Sequence, residues 1–266
     1  MNAVALYGRY IAISLRGQMQ YRASFVMHVV GLFLITFVEF VGLWALFRRF
    51  GALRDWTLAE VALCYGMVST SFGVAEIFSR GFDTFAGMIR AGSFDRLLLR
   101  PRTTAGQVFG QQLELARVGR MAQGLAVLIW SLAVVDVRWT AGKAALIPLS
   151  IIGGACVFVG LHIVQATMCF WTVQTLEVMA SVTNGGNYAA RVPLTIYRHW
   201  FRKFFTYVVP LAVVNYFPLM AIVDRPGTSE WTRRAAWAGP AIGLAFIALT
   251  LRVWVFGVRH YRSTGS

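Results

Sequence analysis

Long apolar runs separated by short basic segments make up most of the chain. A helix that crosses a membrane needs about 20 mostly apolar residues. Five runs reach this length, and each is followed by polar or basic residues: 25–47, 59–79, 110–135, 143–170 and 237–258. The pattern therefore predicts five crossing helices. Before them, residues 1–24 place Arg9 and Arg16 among Leu, Ile and Tyr, which predicts a helix that lies in the membrane interface.

The region after residue 171 leaves the choice of a further crossing open. Residues 172–190 are weakly apolar, whereas 204–223 are more apolar but interrupted by Pro210 and Pro218. Either stretch can be one further crossing, which would be the fifth in chain order, before the helix at 237–258. If it is the first, the second must enter and leave the membrane on the far side. If it is the second, the first is cytoplasmic or only partly inserted.

The polar stretch 80–107, the basic loop, combines five arginines with an apolar helical periodicity. Phe82, Phe85, Met88 and Ile89 recur at a spacing of three to four, which predicts a short amphipathic helix. Gly92 can end this helix, Ser93 can cap a second one, and Pro101 stops it. The apolar face needs a partner, which is either the membrane interface or a groove in a cytoplasmic protein.

Composition excludes a soluble enzyme and a disordered chain. The 266 residues are 58% hydrophobic and 14% charged, with a mean hydropathy of +0.61, whereas soluble domains are about 25% charged. Lys and Arg outnumber Asp and Glu by 25 to 11, a net charge of +14. A basic membrane protein explains this excess better than nucleic-acid binding, because basic residues flank membrane spans.

Basic residues also orient the chain, since they favour the cytoplasmic side. With both termini and the basic loop inside, twelve Lys and Arg lie inside and eight outside. The remaining cluster of Arg191, Arg198, Arg202 and Lys203 decides the balance. Charge alone favours a cytoplasmic cluster.

Motifs for soluble catalysis are missing from the sequence. It contains no Walker A phosphate loop, HExxH, GxSxG or paired-cysteine motif. Its four histidines are scattered, and Cys64, Cys156 and Cys169 lie in apolar runs as expected of small buried side chains. We therefore expect no catalytic residues and no metal site, with any energy supplied by a partner subunit or an ion gradient.

Polar residues inside apolar segments need partners, because their burial in lipid is costly. They form either a polar pathway or hydrogen bonds between helices or subunits; the candidates are Glu39, His162, Gln165, Glu177, Asn184 and Asn187. Glu76 differs, because Arg80 follows at i+4 and is the expected partner.

Two segments resemble a known family. GSFDRLLLRP at 92–101 and PLTIYRHWFRKFFTYVVPLAVVNYFP at 193–218 are similar, in this order, to the signatures of ABC type-2 permeases, in an uncharacterised prokaryotic exporter-like subfamily. The resemblance implies an all-α integral membrane fold in the prokaryotic inner membrane with both termini cytoplasmic. It implies six crossings, with 172–190 as the fifth, and short re-entrant helices within 193–223 on the outer side, at 200–207 and 211–222. This contradicts the charge count for the Arg191–Lys203 cluster.

The same resemblance implies how transport is energised. The basic loop would carry a coupling helix that docks on a separate ATPase; the expected docking residues are Phe82, Asp83, Phe85, Met88, Ile89, Arg90, Phe94, Asp95, Arg96 and Arg100. Two ATPase subunits would hold ATP and magnesium, and a second, related or identical permease chain would complete the transporter. The alternatives are an ion-coupled secondary carrier that uses Glu39 and His162 as proton sites, or a non-transporting membrane scaffold.

Overall fold

A computed structural model describes residues 3–53, 55–171, 176–226 and 228–261, with the backbone alone at 3–7, 10 and 176–180. The described residues are helical and contain no β-strand. Thirteen α-helices are present in this part of the chain: α1 (Ala3–Met19), α2 (Arg22–Phe50), α3 (Leu58–Asp83), α4 (Phe85–Arg90), α5 (Asp95–Leu98), α6 (Thr104–Gln111), α7 (Val118–Val134), α8 (Ala141–Met168), α9 (Leu176–Ala190), α10 (His199–Lys203), α11 (Phe217–Ile222), α12 (Glu230–Trp237) and α13 (Gly239–His260).

Four of the helical segments described are long and apolar enough to cross a membrane: Arg22–Phe50, Leu58–Arg90, Ala141–Met168 and Gly239–His260. They correspond to four of the predicted runs. The helix expected over 110–135 is shorter, since α7 begins at Val118 after an extended break at 112–114. The α1 side chains of Ser14 and Gln18 bind the backbone of this break at Leu113, which explains why it is not helical.

The α3 helix is the centre of the bundle. In its most apolar window 83% of the residues are buried inside the chain, against 11% in α2. It packs on α7 and α8, and α8 packs in turn on α13. At the α8–α13 contact the two backbones nearly touch, because a Cβ on Gly243 would lie 2.6 Å from the carbonyl oxygen of Gly153. Such contacts between small residues are typical of helices that pack in a membrane.

Both described termini and the basic loop lie at one end of the bundle, the loop end. The rings of Phe94 and Tyr261 are 5.2 Å apart, which joins the loop to the end of α13. The hydroxyl of Ser14 donates to the carbonyl oxygen of Leu113 over 3.0 Å, which joins α1 to the same end. These contacts agree with the predicted arrangement of termini and loop on one side.

The segment between α9 and α12 lies at the opposite end. Trp56, in the α2–α3 connection, donates to Thr195 over 3.0 Å, and the Arg225 guanidinium lies 4.3 Å from its ring centre. Both ends of the segment 195–225 therefore meet at Trp56. Thr195 lies between Arg191 and Lys203, so this stretch contacts the end of the bundle opposite the basic loop, whereas the charge count favoured the side of the loop.

The interior of that segment is a bent pair of short helical pieces, His199–Val208 and Ala212–Ile222, at 91° to each other. The break contains Pro210, as predicted. Behind the bend, the Ser150 hydroxyl of α8 donates to the carbonyl oxygen of Val214. The two pieces lie close to the expected positions 200–207 and 211–222, and their bend fits either a broken crossing or a re-entrant pair.

Candidate functional site: the basic loop and the charged hub

The first turn of the basic loop continues directly from α3. After α3 ends at Asp83, α4 begins at Phe85 and ends at Arg90. Gly92 has φ +60°, and the amides of Gly92 and Ser93 bond back to the carbonyls of Ile89 and Met88. This is a Schellman ending and confirms the predicted stop at Gly92. Ser93 does not cap α5: its hydroxyl donates to the Met88 carbonyl oxygen instead.

The aromatic face of this loop is buried inside the chain itself. The ring of Phe85 lies 4.9 Å from Trp254 of α13 and 5.1 Å from Phe94, and Phe82 lies 5.2 Å from Trp254. Ile89 is buried in the same cluster. Each such aromatic pair contributes about 0.5–1.5 kcal/mol beyond its buried area. The expectation that Phe82, Phe85, Ile89 and Phe94 contact a partner therefore needs correction, because in this structure their partner is the end of α8 and α13.

The exposed surface of the loop is basic with a leucine ridge. Arg90, Arg96 and Arg100 are exposed, whereas Met88 and Asp95 are half-buried. Leu98 and Leu99 are 41% and 86% exposed. The sequence prediction did not include these two leucines among the docking residues. The run of three leucines at 97–99 could have indicated them, because a single short helix can bury only some of three consecutive side chains. This surface is the part of the loop that remains available to a partner protein.

Six charged side chains below the loop form one connected cluster, the charged hub: Glu76, Arg80, Asp83, Glu114, Arg117 and Arg120. Arg120 and Arg117 bind the two carboxylate oxygens of Glu76 over 2.9 and 3.2 Å. The Glu114 carboxylate forms ion pairs with Arg117 over 3.2 Å and with Arg80 over 2.7 Å, and Arg80 also pairs with Asp83. Three carboxylates thus balance three guanidinium groups.

The predicted pairing of Glu76 with Arg80 was wrong. Arg80 points along the helix to Asp83 and across to Glu114, while Glu76 faces α7. The break at 112–114 places Glu114 beside Arg80, and neither the helical period nor the i+4 rule contains that information. The hub joins α3, which leads into the loop, to the start of α7.

Buried polar side chains connect this hub to α8 and α9. The Gln165 amide donates to the Asp83 carboxylate over 3.2 Å, and the Thr183 hydroxyl donates to Gln165 over 3.2 Å. One turn earlier, Ser79 and the Nδ1 atom of His162 are 2.8 Å apart. Two predicted polar residues, His162 and Gln165, are therefore brought together next to α3.

The other predicted polar residues lie elsewhere. Glu39 of α2 pairs with Arg191 at the end of α9 and accepts from the Tyr188 hydroxyl over 3.1 Å. Asn184 is exposed on α9 and Asn187 is buried. The side chain of Glu177 lies outside the described residues. Glu39 thus belongs to a separate α2–α9 cluster rather than to the site around His162.

The described part of the site contains ion pairs rather than a cluster of metal ligands. Among the described residues, no group of three or more His, Cys, Asp or Glu side chains could hold a metal ion. Acidic residues of the hub are used in ion pairs with arginine. These ion pairs and hydrogen bonds join α3 to α7 and α8.

Comparison with known families decides the class of protein. The model of a family described as ABC-2 family transporter protein matches residues 33–265. The chain belongs to this family. The match confirms the resemblance carried by the two sequence segments and covers α3 to α13, while α1 precedes it. The family and the apolar helices together make the chain a multi-pass membrane protein, of a family that works with an ABC ATPase. No curated protein and no solved structure matches the chain.

Proposed function

We propose that this ABC-2 protein is the permease subunit of an ATP-driven exporter in a prokaryotic plasma membrane, with the loop end in the cytoplasm. Six crossings would be α2, α3, α7, α8, the region of α9 and α13. The bent pair would be re-entrant from the outer side, which agrees with the contact of both its flanks with Trp56. Two separate ATPase subunits would hold ATP and magnesium.

The main support for the proposal is that the basic loop packs one side on the bundle and exposes the other. Its aromatic side fastens it to α8 and α13, and its other side exposes Leu98, Leu99 and arginines. An exposed apolar ridge with a charged rim is typical of a protein-binding surface. We assign this face to the ATPase, with Leu98 and Leu99 as anchors and Arg90, Arg96 and Arg100 around them.

Force from the ATPases would reach the transmembrane helices through the charged hub. The loop continues from α3, and the hub ties the end of α3 to α7, while Asp83 and Gln165 tie it to α8. A movement of the loop therefore displaces several helices together. ATP binding supplies the difference in affinity between two states that such a shift requires.

A second permease chain would cover α2 and α9. The α2 helix is little buried, and α9 exposes Asn184, a polar side chain that lipid cannot satisfy. Glu39 and Asn184 would border the path between the two permeases. His162 and Gln165 are buried beside α3, so we assign them to the connection between helices rather than to the wall of the path.

The experiment that tests the proposal is capture of the ATPase by the tagged full-length chain from its native membranes. We expect mass spectrometry to find an ABC ATPase with the wild-type chain and to lose it with the double variant Leu98→Asp, Leu99→Asp. The matched control is Trp231→Asp, an exposed aromatic side chain at the opposite end, which should retain the ATPase. Equal recovery with both variants would contradict the assignment, and transport driven by a proton gradient without any ATPase would favour the ion-coupled carrier.

A further inference from the structure

A large apolar groove opens on the side of the bundle away from α2. Its volume is about 980 Å³, and it lies between α3, α8 and α13 with α6 across its loop end. Phe78, Val159, Ile247 and Leu251 form its walls. The lining of α3 extends from Val74 to Phe82, which is about 12 Å of helix at 1.5 Å per residue. The groove therefore has the dimensions of a site for an extended apolar chain.

The loop end of this groove is polar. Arg102 and Thr103 line it there, and Arg102 has no acidic partner within the part of the chain that the structure describes. Beside them, Gln107 is only 7% exposed, and its amide donates to the carbonyl oxygens of Leu97 and Arg102 over 3.1 and 3.2 Å. Its Oε1 atom is buried without a hydrogen-bond partner among the described residues. An exposed cation thus lies at the mouth of an apolar groove.

We propose that this groove binds an anionic phospholipid, with an acyl chain between α3 and α13 and the phosphate on Arg102. A basic residue near a membrane surface attracts anionic headgroups by about 1 kcal/mol. This inference requires only that the chain lies in a membrane, so it does not depend on the proposed transport function.

A second permease fits this groove less well than a lipid does. An apolar helix seated there would leave the Arg102 guanidinium without a counter-charge, which is unfavourable next to hydrocarbon. The polar side chain that needs a protein cover, Asn184, is on the α9 face instead. The charge at the mouth of the groove therefore favours an anionic lipid.

Cys156 provides a direct probe of occupancy. It lines the groove and is half-buried, whereas Cys64 and Cys169 are buried elsewhere. The purified full-length chain in detergent is mixed with phosphatidylglycerol or with phosphatidylcholine of the same acyl chains. The rate at which N-ethylmaleimide modifies Cys156 is then followed by mass spectrometry of the intact chain and its peptides.

We expect phosphatidylglycerol to protect Cys156 at a concentration about fivefold lower than phosphatidylcholine, the selectivity that one surface arginine provides. Arg102→Gln should abolish this difference. Arg259→Gln, an exposed arginine at the same end outside the groove, should preserve it.

Three results would overturn the proposal. The first is equal protection by the two lipids, which shows a lipid contact without headgroup recognition. The second is an unchanged preference in Arg102→Gln, which removes the assigned headgroup contact. The third is protection that appears only when a second permease is added, which shows that a protein covers the groove. Native mass spectrometry of retained phosphatidylglycerol, reduced in Arg102→Gln, gives an independent readout.

Discussion

Removal of the Glu76 carboxylate tests whether the charged hub holds α3 and α7 together. In Glu76→Gln, Arg120 would lose its carboxylate and keep only the face of Phe72, 5.5 Å from its guanidinium carbon. The side chains of Glu76 and Arg120 are 11% and 17% exposed. Removing one partner of a buried ion pair costs about 3–5 kcal/mol. We expect about 3 kcal/mol, the lower end of that range, because Arg117 keeps Glu114.

A double-mutant cycle separates this ion pair from other effects of the substitution. Arg120→Gln should also destabilise the chain, but the double variant Glu76→Gln, Arg120→Gln should cost less than the sum of the two, by about 1–3 kcal/mol. The free energy of unfolding is measured in mixed micelles by titration with a denaturing detergent. The exposed Arg259→Gln serves as the control and should change stability by less than about 0.5 kcal/mol.

Additivity would refute the reasoning. If the two single effects add within about 0.5 kcal/mol, Glu76 and Arg120 do not interact. The hub would then lack its direct ion pair between α3 and α7, and the transmission proposed through that pair would have no basis.

Three further substitutions test separate parts of the fold; the first two are measured by the same unfolding titration and the third by thermal unfolding. Gly243→Ala should lower the free energy of unfolding by about 1–3 kcal/mol, because its Cβ would lie 2.6 Å from a backbone oxygen of α8. Gly42→Ala is the control and should be neutral, since a Cβ there has nothing within 4 Å. Equal effects of the two substitutions would contradict the close α8–α13 contact. Gly92→Ala should lower the free energy of unfolding by about 1–2 kcal/mol, because the backbone there has φ +60°. Gly87→Ala, where a Cβ meets nothing within 4 Å, should not destabilise the chain. A neutral Gly92→Ala would argue against the Schellman ending. Glu39→Gln should lower the thermal midpoint, since it leaves Arg191, 5% exposed, without its carboxylate, and an unchanged midpoint would exclude that pair.

Local signals predicted local structure well. The apolar runs predicted the four long helices, and the glycine at 92 predicted the end of α4 because a left-handed backbone conformation favours that residue. The helical spacing of Phe82, Phe85 and Ile89 correctly identified an apolar face. It could not identify what covers that face, since the covering residue Trp254 lies about 170 positions later in the chain.

Long-range pairing limited the prediction of the site. The partner of Glu76 came from α7 rather than from the next turn, and Glu39 found Arg191 in α9. Counting basic residues favours the loop side for the Arg191–Lys203 cluster, whereas Thr195 within this stretch contacts Trp56 at the opposite end, and Arg191 is buried in an ion pair. Such residues do not behave as the exposed loop charges on which the counting rule depends.

The most direct test of the central claim is the structure, by electron cryomicroscopy, of the wild-type chain purified with its bound ATPase. The account predicts that Leu98 and Leu99 are buried against the ATPase, that Arg96 and Arg100 lie at the rim of the contact, and that Phe85 remains on Trp254. An ATPase bound at the Trp56 end, or a contact that leaves both leucines exposed, would contradict it.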